Sequence, residues 1–188
     1  VNRPAGTVVP GDAENTFIRA EFPVNYAQFY LHDGNPYRPE TPAPGVPADS
    51  DAGILRTARG GAFLVTGLAV GNVNLTVSLH HHEPEPLLRE YEDVVEASLR
   101  IDIPPLHVDS WGDHKSIELP PLPSETDWYR LRYHARDMDR ARDLRSKEPI
   151  DSFHLQIWPA PHRDVDILQV VSEHARYRVS RLNRQEPG

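Results

Sequence analysis

DWYRLRYHARD (Asp127–Asp137) and DSFHLQIWPAP (Asp151–Pro161), joined by an Arg/Asp-rich connector, decide the fold. In the first run Tyr129, Leu131, Tyr133 and Ala135 fall on one side, with Trp128, Arg130, Arg132 and His134 on the other. In the second, Phe153, Leu155 and Ile157 oppose His154, Gln156 and Trp158. A period of two, carried by aromatic and branched residues, marks strands with one apolar face. The pair is predicted to form an antiparallel hairpin whose apolar face joins the core. Its other face gathers Arg130, Arg132, His134, His154, Gln156 and Trp158 as the candidate binding residues, because Trp and Arg are enriched where binding energy concentrates. The plainer expectation for the same face is cross-strand pairing on a half-exposed sheet, with Glu96 of a neighbouring strand as the counter-charge.

Working outward, Asn72–His80 alternates most cleanly, with Val73, Leu75, Val77 and Leu79 on one side. Tyr91–Ile103 places Val95, Ala97, Leu99 and Ile101 together, and Thr16–Val24, Asn25–Gly34, Gly53–Ala58, Ala62–Thr66 and Ser116–Leu119 supply further short strands. Val73, Leu75, Val77, Val95, Leu99, Leu131, Tyr133, Leu155 and Ile157 are expected to share one core. Residues 1–15 read as a loose lead-in, 35–51 as a proline-rich surface loop, and Ala135–Glu148 as a self-neutralising solvated loop. After Asp164, Leu168, Val171, Ala175 and Leu182 fit a helix, while Ala175, Tyr177 and Val179 fit a strand. Many short strands between turns predict an all-β, single-domain antiparallel β-sandwich spanning 1–188, with a short C-terminal helix.

Composition narrows the function. A net charge of −8 argues against general phosphate-backbone binding, which needs a basic stripe, and suits a basic partner. The absence of cysteine removes disulfides, thiol nucleophiles and thiolate metal sites, and agrees with a bacterial cytoplasm. No apolar run approaches the roughly 20 residues of a membrane helix. All but two of the basic residues are arginine; the lysines are Lys115 and Lys147.

Few residues carry a recognisable chemistry. His80, His81 and His82, followed by Glu83 and Glu85, offer imidazole and carboxylate donors, and His80 with His82 would form an H-x-H metal clip on a strand. The pattern is similar to the opening of a cupin motif, but Pro84 and Pro86 break the strand before a later glycine and histidine follow. No G-x-S-x-G, G-x-G-x-x-G or Walker pattern is present. Trp128 and Trp158 would serve as stacking platforms in a sugar-binding module. No cofactor and no resident metal are expected.

Tyr26-Ala27-Gln28-Phe29, Glu92 to Glu96, Trp128 to Arg132 and Leu155 to Pro161 together resemble uncharacterised bacterial proteins similar to competence protein J, a small β-protein that inhibits the DNA-entry nuclease. Ala27 departs from the histidine of that pattern, and the proline-rich insertion departs too. The resemblance implies a non-enzymatic binding or inhibitory protein. The leading expectation is therefore a protein that binds another protein, such as a basic enzyme, without catalysis, nucleic acid or membrane. The alternatives are a cupin-like metal enzyme using His80 and His82, and a sugar-binding module.

Overall fold

The structure, a computed structural model, describes residues 7–10, 15–34, 48–112, 115–123 and 126–182. Its strands are β1 (Thr7–Pro10), β2 (Asn15–Asn25), β3 (Gln28–His32), β4 (Ser50–Asp51), β5 (Leu55–Ala58), β6 (Gly61–Val65), β7 (Val70–His80) and β8 (Asp93–Arg100). They continue with β9 (His107–Ser110), β10 (Ser116–Glu118), β11 (Trp128–Arg136), β12 (Arg145–Ser146), β13 (Ser152–Pro159) and β14 (Asp166–Gln169). Two helices complete the set, α1 (Met138–Ala141) and α2 (Glu173–Leu182).

One mixed sheet runs β14-β8-β11-β13-β7-β2-β3-β6-β5-β4, with β1 on β2, β12 on β7, and β9 bridging β3 to β10. The sheet curls. Gly60 N–H, in the β5–β6 turn, donates to the Arg100 carbonyl at the end of β8 (2.8 Å), and Thr57 Oγ1 donates to the Ser98 carbonyl (2.8 Å). Its far end is thus folded back onto its second strand.

The expected antiparallel hairpin β11–β13 forms, with a register that pairs Arg130 with Trp158, Arg132 with Gln156 and His134 with His154. Strand β8 lies on the other side of β11, with Arg132 opposite Glu96. The antiparallel expectation needs one correction: β13 and β12 both run parallel to β7. The long β11–β13 connector crosses the sheet rather than looping freely, since Met138 and Ala141 are buried and Leu68 bridges to Arg142. The connector is thus anchored by Met138 and Ala141, while most of its charged residues stay exposed, Arg140 pairing with Asp137 and Arg142 with Asp143.

Other boundaries shift. Part of the lead-in is strand, because Thr7–Pro10 pairs with Thr16–Arg19. Residues 35–47 of the proline-rich segment lie outside the described residues, while Ser50–Asp51 forms β4. The C-terminal helix forms but starts later than expected: Ala175, Tyr177 and Val179, which also fit a strand, are helical, while Leu168 lies in a strand. Asp166–Gln169 pairs with β8, and the helix begins only at Glu173, where Ser172 Oγ accepts the Ala175 N–H (3.1 Å) as an N-cap.

The nine expected core residues are all buried in one cluster, where Phe29 meets Tyr133 and Phe153 edge-on and Tyr133 stacks on Phe153. Tyr133 Oη, the polar atom on that ring, donates to the Val65 carbonyl (2.9 Å). Truncating the packed centre, Leu75→Ala or Leu155→Ala, is expected to cost about 2–5 kcal/mol in a urea titration. A loss below about 1 kcal/mol at either position would mean that the site collapses around the gap.

Candidate functional site

The polar face of the central hairpin is not a surface. Arg130 and Arg132 are 1 % and 2 % exposed, and His134, His154, Gln156 and Trp158 are buried with them. Two segments cover the face: residues 81–92, between β7 and β8, and residues 160–165, leading into β14. Their backbone groups are the partners. Arg132 Nη1 donates to the Pro84 carbonyl (2.5 Å), Gln156 Nε2 to the Glu85 carbonyl (3.3 Å), and Arg130 Nη1 to the Arg163 carbonyl (3.2 Å).

Glu96 organises this layer. Its two carboxylate oxygens accept from Arg130 Nε (2.9 Å) and Arg132 Nε (2.6 Å). Arg132 further donates to Gln156 Oε1 (3.1 Å) and to Glu83 Oε1 (3.0 Å), and its guanidinium lies over the Trp158 ring at 4.8 Å. A buried arginine pair is tolerable because Glu96 divides its charge between them, Glu83 gives Arg132 a second carboxylate, and Gln156 and the covering carbonyls take further donors.

Beside the arginines sits a neutral histidine cluster. His134 Nδ1–H donates to the His154 carbonyl (3.0 Å), so its Nε2 is left to accept the Leu87 N–H (3.2 Å). Burial, with the Arg132 charge adding to it, pulls the His134 pKa down to about 4. Burial and the neighbouring imidazoles pull His154 down to about 3. The Ser78 hydroxyl lies between His154 Nε2 (2.8 Å) and His80 Nε2 (2.7 Å). A metal clip would need the His80 imidazole free beside His82. It is instead buried at the end of β7 and bonded to Ser78, while His81 and His82 are exposed beyond the strand. The H-x-H clip does not form, because the strand ends at His80 and Pro84 lies just beyond. Among the described residues no group of three His, Cys, Asp or Glu side chains is placed to hold a metal.

Burial withdraws Trp158 from the role of stacking platform, while Trp128 is only half-buried. Trp158 is enclosed beneath Arg132, and Trp128 meets His162 edge-on at 4.8 Å.

Two exposed aromatics lie together elsewhere, apart from the exposed Tyr177 of α2. Tyr26 and Ala27 form the two-residue turn between β2 and β3, and both have φ of 56°. Turns of that shape are normally made by Asn-Gly, because residues with a Cβ pay at positive φ. The backbone around them enforces the shape. Ala27 N–H donates to the Ala69 carbonyl (3.1 Å), and the Ala27 carbonyl accepts from Thr66 N–H (2.9 Å). The result is Tyr26 held 66 % exposed, its ring edge-on to Trp111 at 4.8 Å, with Trp111 itself 42 % exposed. Next to Trp111 lies a depression of about 290 Å³, floored by Val24 and Val70 and rimmed by Asn72, Ser110 and Lys147. The signals available in the sequence were an aromatic at a turn without glycine, a Trp-Gly pair outside any alternating run, and one of only two lysines.

No family model matches the chain, and no curated protein matches it. A solved structure described as crocagin biosynthetic gene J is similar to it with 13 % identity and a TM-score of 0.49, covering 77 % of this chain and 97 % of that one. A likeness of that degree is no guide to function. Among the described residues no helix is long and apolar enough to cross a membrane.

Proposed function

We propose that the protein is a non-catalytic binding protein whose contact surface is the Tyr26–Trp111 face, and that its partner is another protein. The observation that carries this reading is the strained turn. Two residues with a Cβ are kept in the left-handed region, at a cost of order 1–3 kcal/mol each, and the side chain so displayed is an exposed tyrosine against an exposed tryptophan. The polar layer supports the reading from the other side. Its arginines and Trp158 are engaged inside the molecule, so they serve as scaffold rather than as a contact patch. Net charge favours a basic partner, and an inhibitor of a basic enzyme such as a nuclease is the specific form that the competence-protein-J-like pattern suggests. The sandwich architecture belongs to the same reading, with the curled sheet closing its two halves on a shared core.

The turn offers a test in which loss of binding cannot be blamed on unfolding. Tyr26→Asn with Ala27→Gly supplies the residues the turn geometry prefers, and stability should rise by about 1–2 kcal/mol. Affinity capture from the native organism should fall at least tenfold for this variant, and likewise for Trp111→Ala at an unchanged thermal midpoint. Full capture by the stabilised Asn-Gly variant would sink the proposal.

A further inference from the structure

The depression beside Trp111 is built, not incidental. Gly71 has φ of 137°, and a Cβ there would lie 1.6 Å from the Ser146 carbonyl oxygen, so β12 can close in parallel against β7 only at a glycine. That closure delivers the next residue, Lys147, to the rim. Asn72 Nδ2 then donates to the Lys147 carbonyl (3.1 Å), fixing its backbone a second time. The Lys147 side chain is exposed and makes no ion pair among the described residues. Across the rim, Ser110 is 4 % exposed. Its Oγ accepts the Lys115 N–H (2.9 Å), which leaves the hydroxyl proton without an acceptor among the described residues.

The chemistry of these groups is specific. Lys147, which carries an ammonium, and Ser110, which carries a buried hydroxyl, both line a small depression together with the apolar Val24 and Val70 and the Trp111 ring. A phosphate would call for more donors, of the Arg-fork or backbone-nest kind. One cation with one neutral donor matches a carboxylate. The volume, at the small end of the range for ligand pockets, matches a single compact apolar group. Glu148 follows Lys147 in the chain, and Glu21 lies near Lys115, whose ammonium donates to the Glu21 carbonyl (2.8 Å).

We infer that this depression is a binding site for a carboxylate carried on a compact apolar or aromatic group, held by Lys147 and Ser110 over the Val24/Val70/Trp111 floor. The inference rests on the proposed Tyr26–Trp111 contact face and names the chemistry that face selects. The same group can arrive as a free small acid or as the C-terminal residue of a partner chain.

Tryptophan fluorescence and amide-shift titrations with matched probes decide the matter. The probes are phenylacetate against phenylacetamide, and a hexapeptide ending in phenylalanine as the free acid against its C-terminal amide. The wild-type protein should bind the acid of a pair about tenfold tighter than the amide, with the preference shrinking as salt rises. Lys147→Ala, at an exposed position, should bring acid and amide level without moving the thermal midpoint, and Trp111→Ala should weaken both. A preference larger for the peptide pair assigns the chain terminus as the source, and one at least as large for phenylacetate assigns a free acid. Equal binding of acid and amide, no binding of either, or a preference that survives Lys147→Ala overturns the inference. The broader reading is judged separately, by whether partner capture still depends on Trp111 when Lys147 is replaced.

Discussion

Glu96→Gln should cost the protein about 3–5 kcal/mol, the effect of leaving Arg130 and Arg132 buried without their shared carboxylate. The substitution keeps the side chain's shape but removes its charge and turns one of its two acceptor oxygens into an NH2 donor facing an arginine N–H, so the loss reads the ion pairs with their hydrogen bonds rather than a cavity. Arg163, 3.7 Å from Glu96 and nearly half exposed, cannot compensate, because it brings more positive charge. Urea unfolding of the variant measures the loss directly. Replacing the whole group by apolar residues should be far milder than the single change, since three desolvated charges disappear together. Should Glu96→Gln leave the unfolding free energy within about 1 kcal/mol of the parent, the arginines must be finding other counter-charge or water.

Acid should destabilise the fold well before its carboxylates titrate. His134 and His154 have folded pKa values of about 4 and about 3, against about 6.5 when unfolded. Groups depressed in this way stabilise the folded state above the unfolded pKa, and the advantage is lost as pH falls from about 6.5 toward the folded values. Each unfolded histidine takes up a proton that the folded one refuses, so the pair should cost about 3 kcal/mol between pH 6.5 and 5. His174, held down to about 4 by burial and Arg178, adds a smaller share because it is more open to solvent. Asp151 works in the opposite sense, its carboxyl pushed up by burial, and is a single group against four depressed histidines, buried His80 among them. Urea midpoints at pH 7.5, 6.5 and 5 trace the slope, and His134→Gln should flatten it. A flat profile over this window would show that the imidazoles are solvated.

The mechanism of that lability is local. Protonation of His134 turns its Nε2 from acceptor to donor, which removes the partner of Leu87 N–H and places a charge next to Arg132. The covering segment 81–92 is thus the first part expected to loosen in acid.

The alternation of WYRLRYHAR and SFHLQIWP was enough to gather Arg130, Arg132, His134, His154, Gln156 and Trp158 on one face with Glu96 as counter-charge, because a period of two sorts side chains between the faces of a sheet; the pairing of Arg132 with Glu96 and Gln156 is set by the register. The same alternation was misleading about depth. A polar face reads as a wet one unless something covers it, and the cover here, HHEPEPLLREY, contributes backbone carbonyls rather than apolar side chains. Hydropathy is blind to carbonyls. The parallel pairing of β13 with β7 was hidden for a related reason: side-chain pattern specifies which face is buried and not strand direction. At the candidate site, Tyr26 and Ala27 looked like the start of a strand because neither is a turn former, and the contacts that force them into left-handed geometry come from residues 66 to 69. Lys147 reaches the rim through a crossover that composition disguises as a charged loop.

The parallel β7–β13 pair also governs when this chain can finish folding. Leu75 docks against Phe153, and at ordinary synthesis rates of about 5–20 residues per second the nascent strand waits roughly 4–15 s for its neighbour to be made. Until then β7 can pair only with β2, leaving its other edge bare. Contacts of such long sequence separation also place the molecule among slow folders once it is released. An emerging chain that stalls before Ser152 carries a long apolar strand with one open side, the form most prone to pair with another copy of itself, and its yield in the cell should therefore depend on how well the ribosome exit is shielded.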